Sequence, residues 1–108
     1  MLYAVNAKLV TERGPELLSR LTDGSIAAQR PDGEEIVAAM GRARVAQDGA
    51  VRWTETCFCH PPLQHERETV LDRYFDHIET EAIDAPVEFK GQPLIDLLRE
   101  LAGADRPG

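Results

Sequence analysis

Arg44-Val45-Ala46-Gln47-Asp48-Gly49-Ala50-Val51-Arg52-Trp53-Thr54-Glu55 is the stretch whose reading decides the fold. Asp48-Gly49 supplies the positive φ angles that a two-residue turn between antiparallel strands demands. Such a turn sets a register in which Gln47 faces Ala50, Val45 faces Arg52, Arg44 faces Trp53, and Arg42 faces Glu55 where the strand reaches back that far. The second strand then runs on through Cys57 to Cys59, and Pro61-Pro62 ends it. Period two puts Val51, Trp53, Glu55, Cys57 and Cys59 on one face and Arg52, Thr54, Thr56 and Phe58 on the other.

Working outward toward the N-terminus, residues 2–10 alternate Tyr3, Val5, Ala7 and Leu9 with Leu2, Ala4, Asn6, Lys8 and Val10, which reads as a strand with one fully apolar face. Gly14-Pro15 opens a short helix on Leu17, Leu18 and Leu21, stopped at Asp23-Gly24. For residues 25–41 the pattern favours Ser25–Gln29 extended and Glu34–Gly41 helical, with Asp32 and Glu35 spaced as a capping box. Toward the C-terminus, Leu63, Val70, Leu71, Tyr74, Phe75 and Ile78 recur at helical intervals over about four turns. Val87-Glu88-Phe89-Lys90 is β-like, and Pro93 to Leu101 forms a last amphipathic helix on Leu94, Leu97, Leu98 and Leu101, closed by Gly103.

The order strand, helix, hairpin, helix, strand, helix belongs to the α+β class: an antiparallel sheet with helices packed on one face. The layout resembles the ferredoxin-like βαββαβ plan with a C-terminal helix added. Many unrelated functions share that plan, so it carries no activity across. At 108 residues the chain is expected to be a single domain over residues 1–103 with a frayed tail from Ala104 to Gly108.

A 43% hydrophobic and 29% charged composition is that of a globular protein. Apolar runs fall far short of the roughly 20 residues of a membrane span, and Asn6 and Lys8 interrupt any signal-peptide core, so a cytoplasmic location is expected. The net charge is −7, and its excess acid lies entirely in residues 53–108, which carry five Lys/Arg against twelve Asp/Glu. That surface repels a phosphate backbone, and no basic cluster interleaved with aromatics occurs, which argues against nucleic-acid binding.

Chemistry concentrates between Trp53 and His77. Glu55 is the one acid on an otherwise apolar strand face, so it must pair or take up a proton. Arg42 is its expected partner. The pair reads either as a structural ion pair or as a carboxylate with a raised pKa acting as acid or base, with His65 as a further candidate base. Cys57, Cys59, His60 and His65 offer the ligand types of a zinc site, although Cys-x-Cys on a strand departs from the usual spacing of two to four residues. The structural alternative makes the cysteines small core hydrophobes, His60 a loop residue and His65 part of a first helical turn. On the helix, His65, Asp72 and Asp76 share a stripe, and Arg73 is placed to meet Asp76 and His77. Trp53 opposite Arg44 reads as a cross-strand packing pair. Phosphate-loop, nucleophile-elbow and His-Glu-x-x-His motifs are absent from the chain.

Two functions follow as expectations. The first is a homodimeric binding or structural module with a small-molecule pocket. The second is a metal-binding or small enzymatic site built on Glu55, Cys57, Cys59, His60 and His65, with zinc as the cofactor.

Overall fold

A computed structural model describes residues 1–58 and 61–104 of the chain. The first strand, β1 (Leu2–Leu9), forms as its alternation demands, with Tyr3, Val5 and Ala7 buried. A 3-10 turn at Thr11–Arg13 leads into α1 (Gly14–Thr22), which has Pro15 in its first turn. Residues 25–32 then coil through tight turns rather than running extended, closed by Ala28 N–H to Gly24 O and Gln29 N–H to Ile26 O, both 3.0 Å. Ile26 is their single fully buried side chain, and one apolar anchor pins a turn but gives a strand no face to bury.

Helix α2 (Gly33–Arg42) is followed by the hairpin of β2 (Arg44–Val45) and β3 (Ala50–Thr56). The hairpin is present, but its register differs from the expected one: Arg44 pairs with Arg52 and Val45 with Val51. The loop holds three residues. Ala46 N–H bonds to Ala50 O at 2.8 Å, Gly49 N–H to Ala46 O at 2.9 Å, and Asp48 Oδ1 accepts Ala50 N–H at 3.0 Å. Gly49 takes the left-handed position that such a loop requires, φ 89°. The extra loop residue moves every pairing by one, so Arg44 does not stand opposite Trp53.

Helix α3 occupies residues 64–74, with a π-helical stretch at Arg67–Leu71, and gives way at once to β4 (Phe75–Ile83). The helix is therefore shorter than the hydrophobic spacing suggests. Phe75 and Ile78 mimic a helical interval because β4 is bulged: between Asn6↔Glu79 and Lys8↔Asp76, β4 uses three steps to the two of β1, and His77 sits there at φ 53°. The bulge turns both side chains toward the core. Residues 84–91 form a connecting strap, so Val87–Lys90 is not a strand. The short β5 (Gln92–Pro93) follows, and α4 (Leu94–Ala104) closes the described chain. The expected tail lies outside the described residues beyond Ala104.

The five strands are antiparallel in the order β4-β1-β3-β2-β5. All four helices lie on one face: Leu17 of α1, Ile36 and Met40 of α2, Leu71 and Tyr74 of α3, and Leu94 and Leu98 of α4 join Val5, Val51, Trp53 and Phe75 in one core. The α+β class is thus as the sequence predicts, with β5 as an additional edge. No helix among the described residues is long and apolar enough to cross a membrane.

Candidate functional site

Glu55 stands on the core face of β3, paired across the sheet with Tyr3, and is 1% exposed. Trp53, two residues earlier and on the same face, donates its Nε1–H to Glu55 Oε1 at 2.8 Å. The indole packs against Phe75 with ring centroids 5.2 Å apart, which locks the donor in place. Leu63 initiates α3 from a left-handed conformation, φ 61°, with its side chain fully buried. That anchor aims the first turn of α3 at β3, and Glu66, also 1% exposed, arrives beside Glu55.

The two carboxyls are close enough to act directly on each other, and two adjacent carboxyls in the core cannot both stay ionised without a proton or a cation. Burial is the chief cause that pushes Glu66 up to about 10, with the Glu55 hydrogen bond and the charges of Asp32 and Glu35 adding to it. Glu55 is also raised, first by burial and further by Glu35 and Cys57, against the opposing hydrogen bonds from Glu66 and Trp53. Oε2 of each residue is buried without a hydrogen-bond partner. The site is an acidic pair inside the core, with Glu66 held protonated at neutral pH.

His65, adjacent to Glu66, extends from α3 to α2, its Nδ1 2.5 Å from Asp32 Oδ2. Asp32 is the N-cap residue of α2, yet its side chain makes no capping bond because it is engaged with His65. Cys57, just past β3, is buried and close enough for its charge to act on Glu55. Cys59 and His60 lie outside the described residues. Among the described residues, no three His, Cys, Asp or Glu side chains stand together as a ready metal site.

Arg42 is not the partner of Glu55. It is the last residue of α2, and its Nη2 donates to Glu35 Oε1 at 3.0 Å and to Thr54 O at 2.7 Å. The helix continues through the position where a longer hairpin would have placed it across from Glu55. The remaining helix-surface pairings change as well. Asp76 and His77 belong to β4, Asp72 accepts from Arg67 Nε at 3.0 Å, and Arg73 reaches Glu16 on α1.

Glu66 is the member of the candidate site that the sequence reading does not single out. Its position held the signal: it lies three residues after Leu63 and four before Val70, on the apolar face of α3. Asp32 becomes a member of the site only through the contact with His65. Comparison of the chain with protein-family models, with curated proteins and with solved structures finds no match.

Proposed function

We propose that the protein is a metal-binding module whose ion is held by the carboxylates of Glu55 and Glu66. The observation that carries this reading is the pair of buried, facing carboxyls, each with an oxygen that meets no donor. Buried acceptors of this kind call for a proton, a water or a cation. A shared proton satisfies one contact; a divalent cation satisfies both carboxylates and offsets the surrounding charge of Asp32 and Glu35. Cys57 follows Glu55 by two residues, His65 precedes Glu66 by one, and Cys59 and His60 follow Cys57 in the chain; as they stand no three described side chains form a set, so the ion must draw further ligands to the carboxylate pair. Mixed oxygen, thiolate and imidazole donors favour zinc, which takes four ligands readily and tolerates carboxylate among them.

Isothermal titration of metal-stripped protein with zinc, in two buffers of different ionisation enthalpy, tests the proposal. The expected result is one equivalent bound with release of protons, and at least tenfold weaker binding by Glu66→Gln and by Cys57→Ser with the fold retained. Uptake of no zinc by the wild-type chain, or wild-type affinity in both variants, would leave the carboxyl pair as a proton-holding element and overturn the metal reading.

A further inference from the structure

Residues 84–91 must travel from one edge of the sheet, β4, to the other, β5. They cross the face turned away from the helices, because Phe89 lies over Asn6 and Arg52 of that face. On its other side Phe89 walls a second cavity of about 330 Å³, closed by Val87 and Glu88 of the strap, Arg44 of β2, Arg42 at the end of α2 and Thr54 of β3. This cavity opens where β2 ends and β3 continues without a paired neighbour on that side. Arg42 caps the exposed edge through Thr54 O.

From this arrangement we infer that the cavity between the strap and the β3 edge binds a small organic monocarboxylate with an apolar body. Two arginines line the cavity in a protein whose net charge is −7. The described hydrogen bonds occupy only Nη2 of Arg42 and Nη1 of Arg44, the latter to Gly91 O at 3.4 Å. Each guanidinium carries five N–H donors in a planar fork, so several remain to receive a carboxylate. Both arginines are held before any ligand arrives, Arg42 by Glu35 and Thr54, Arg44 by the sheet and Gly91, which lowers the ordering cost of binding. Val87 and Phe89 supply the apolar wall. Glu88 lies in the lining and Glu35 pairs with Arg42, so two arginines face two carboxylates; the unused N–H donors, without a surplus of positive charge, suit one carboxylate and disfavour a phosphate dianion. The volume is at the low end of small-molecule sites and suits a ligand about the size of a substituted benzoate.

The cavity contains neither Glu55 nor Glu66 and does not depend on metal, although Trp53, which also lines it, donates to Glu55. Nitrogen-15 NMR titrations of the full chain in EDTA, with benzoate, benzyl alcohol and inorganic phosphate as probes, test it. The expected result is saturable shifts at Thr54, Glu88 and Phe89 with benzoate, no comparable response to benzyl alcohol, and phosphate at least tenfold weaker. Arg44→Gln, with an otherwise unchanged spectrum, weakens benzoate binding at least tenfold, and Phe89→Ala weakens it without altering the preference for the carboxylate. Absence of saturable shifts, an equal response to benzyl alcohol, phosphate binding as tight as benzoate, or unaltered affinity in Arg44→Gln would each overturn the inference.

Discussion

Glu66 in the first turn of α3 and Glu55 near the end of β3 meet carboxyl to carboxyl inside the core, each 1% exposed. Two acids in such a place oppose folding unless a proton or a cation joins them. The burial that makes the pair costly also makes it responsive, since its charge state is decided by what it binds.

Glu66→Gln should therefore uncouple stability from pH. The native state of the metal-free protein holds a proton that the unfolded chain releases above the ordinary value of 4.5, while Glu66 in the fold is pushed up to about 10. Its favourable contribution is complete below about 4.5 and is lost as pH rises toward about 10. Glutamine keeps a donor toward Glu55 and cannot ionise. The variant is expected to match the wild type near pH 5 and to exceed it near pH 9 by more than about 1 kcal/mol. Scanning calorimetry in EDTA across that range checks this, and identical pH slopes for the two proteins would refute it. Higher stability together with weaker zinc binding would mark a site in which function is maintained at the expense of the fold.

Trp53→Phe removes the indole N–H that Glu55 Oε1 accepts at 2.8 Å while keeping an aromatic ring against Phe75. Urea unfolding should show a loss of about 1–3 kcal/mol, the cost of an unsatisfied buried acceptor plus the smaller ring. In a Glu55→Gln background the same substitution should cost less, and strict additivity in the double-mutant cycle would argue against the coupling.

Glu16 of α1 accepts from Arg73 Nη2 at 2.8 Å and also from Arg73 Nε and the Tyr74 hydroxyl, tying α1 to the end of α3. These bonds, the Arg73 one foremost, hold its carboxyl at about 2 instead of 4.5. The stabilisation is present above about 4.5 and is lost as pH falls toward about 2. Glu16→Gln should thus be less stable than the wild type at pH 7 and equal to it near pH 2. A difference that persists unchanged through the acid range would contradict this assignment.

Two glycines in α2 should respond oppositely to alanine. A Cβ on Gly33 would collide with the carbonyl oxygens of Ile26 and Ala27, where the 25–32 turns close onto the helix. Gly33→Ala is expected to cost about 2–4 kcal/mol by forcing that backbone apart. Gly41 meets nothing within 4 Å, and Gly41→Ala should stabilise the helix by roughly 0.5–1 kcal/mol. Paired thermal melts distinguish the two, and equal effects would rule out this packing.

Elements whose hydrophobic period survives into the fold were legible from the chain. The alternation of β1, the Gly14-Pro15 start of α1, the Asp48-Gly49 hairpin and the leucine spacing of α4 are local signals written over a few adjacent residues. Where a local pattern had two solutions, the neighbouring strand chose between them. Phe75 and Ile78 fit a helix or a bulged strand equally well, and pairing with β1 selected the strand. In the site, Glu55 was legible because an acid interrupts an apolar face. Its partner was not, because Arg42 sits in register with it only for a two-residue loop.

By itself, the sequence determined the class of fold, the inward face of β3 and the acidic character of the second half. Period and composition are properties of neighbouring residues, and they need no distant contact to be expressed. Only the tertiary structure decided that Glu66 would meet Glu55, that His65 would reach Asp32, and that the strap would bring Phe89 over the arginines. Each of those contacts joins side chains from separate elements. Their distances depend on a one-residue loop insertion, a bulge and a left-handed helix start, features whose energy is settled by packing across the whole core.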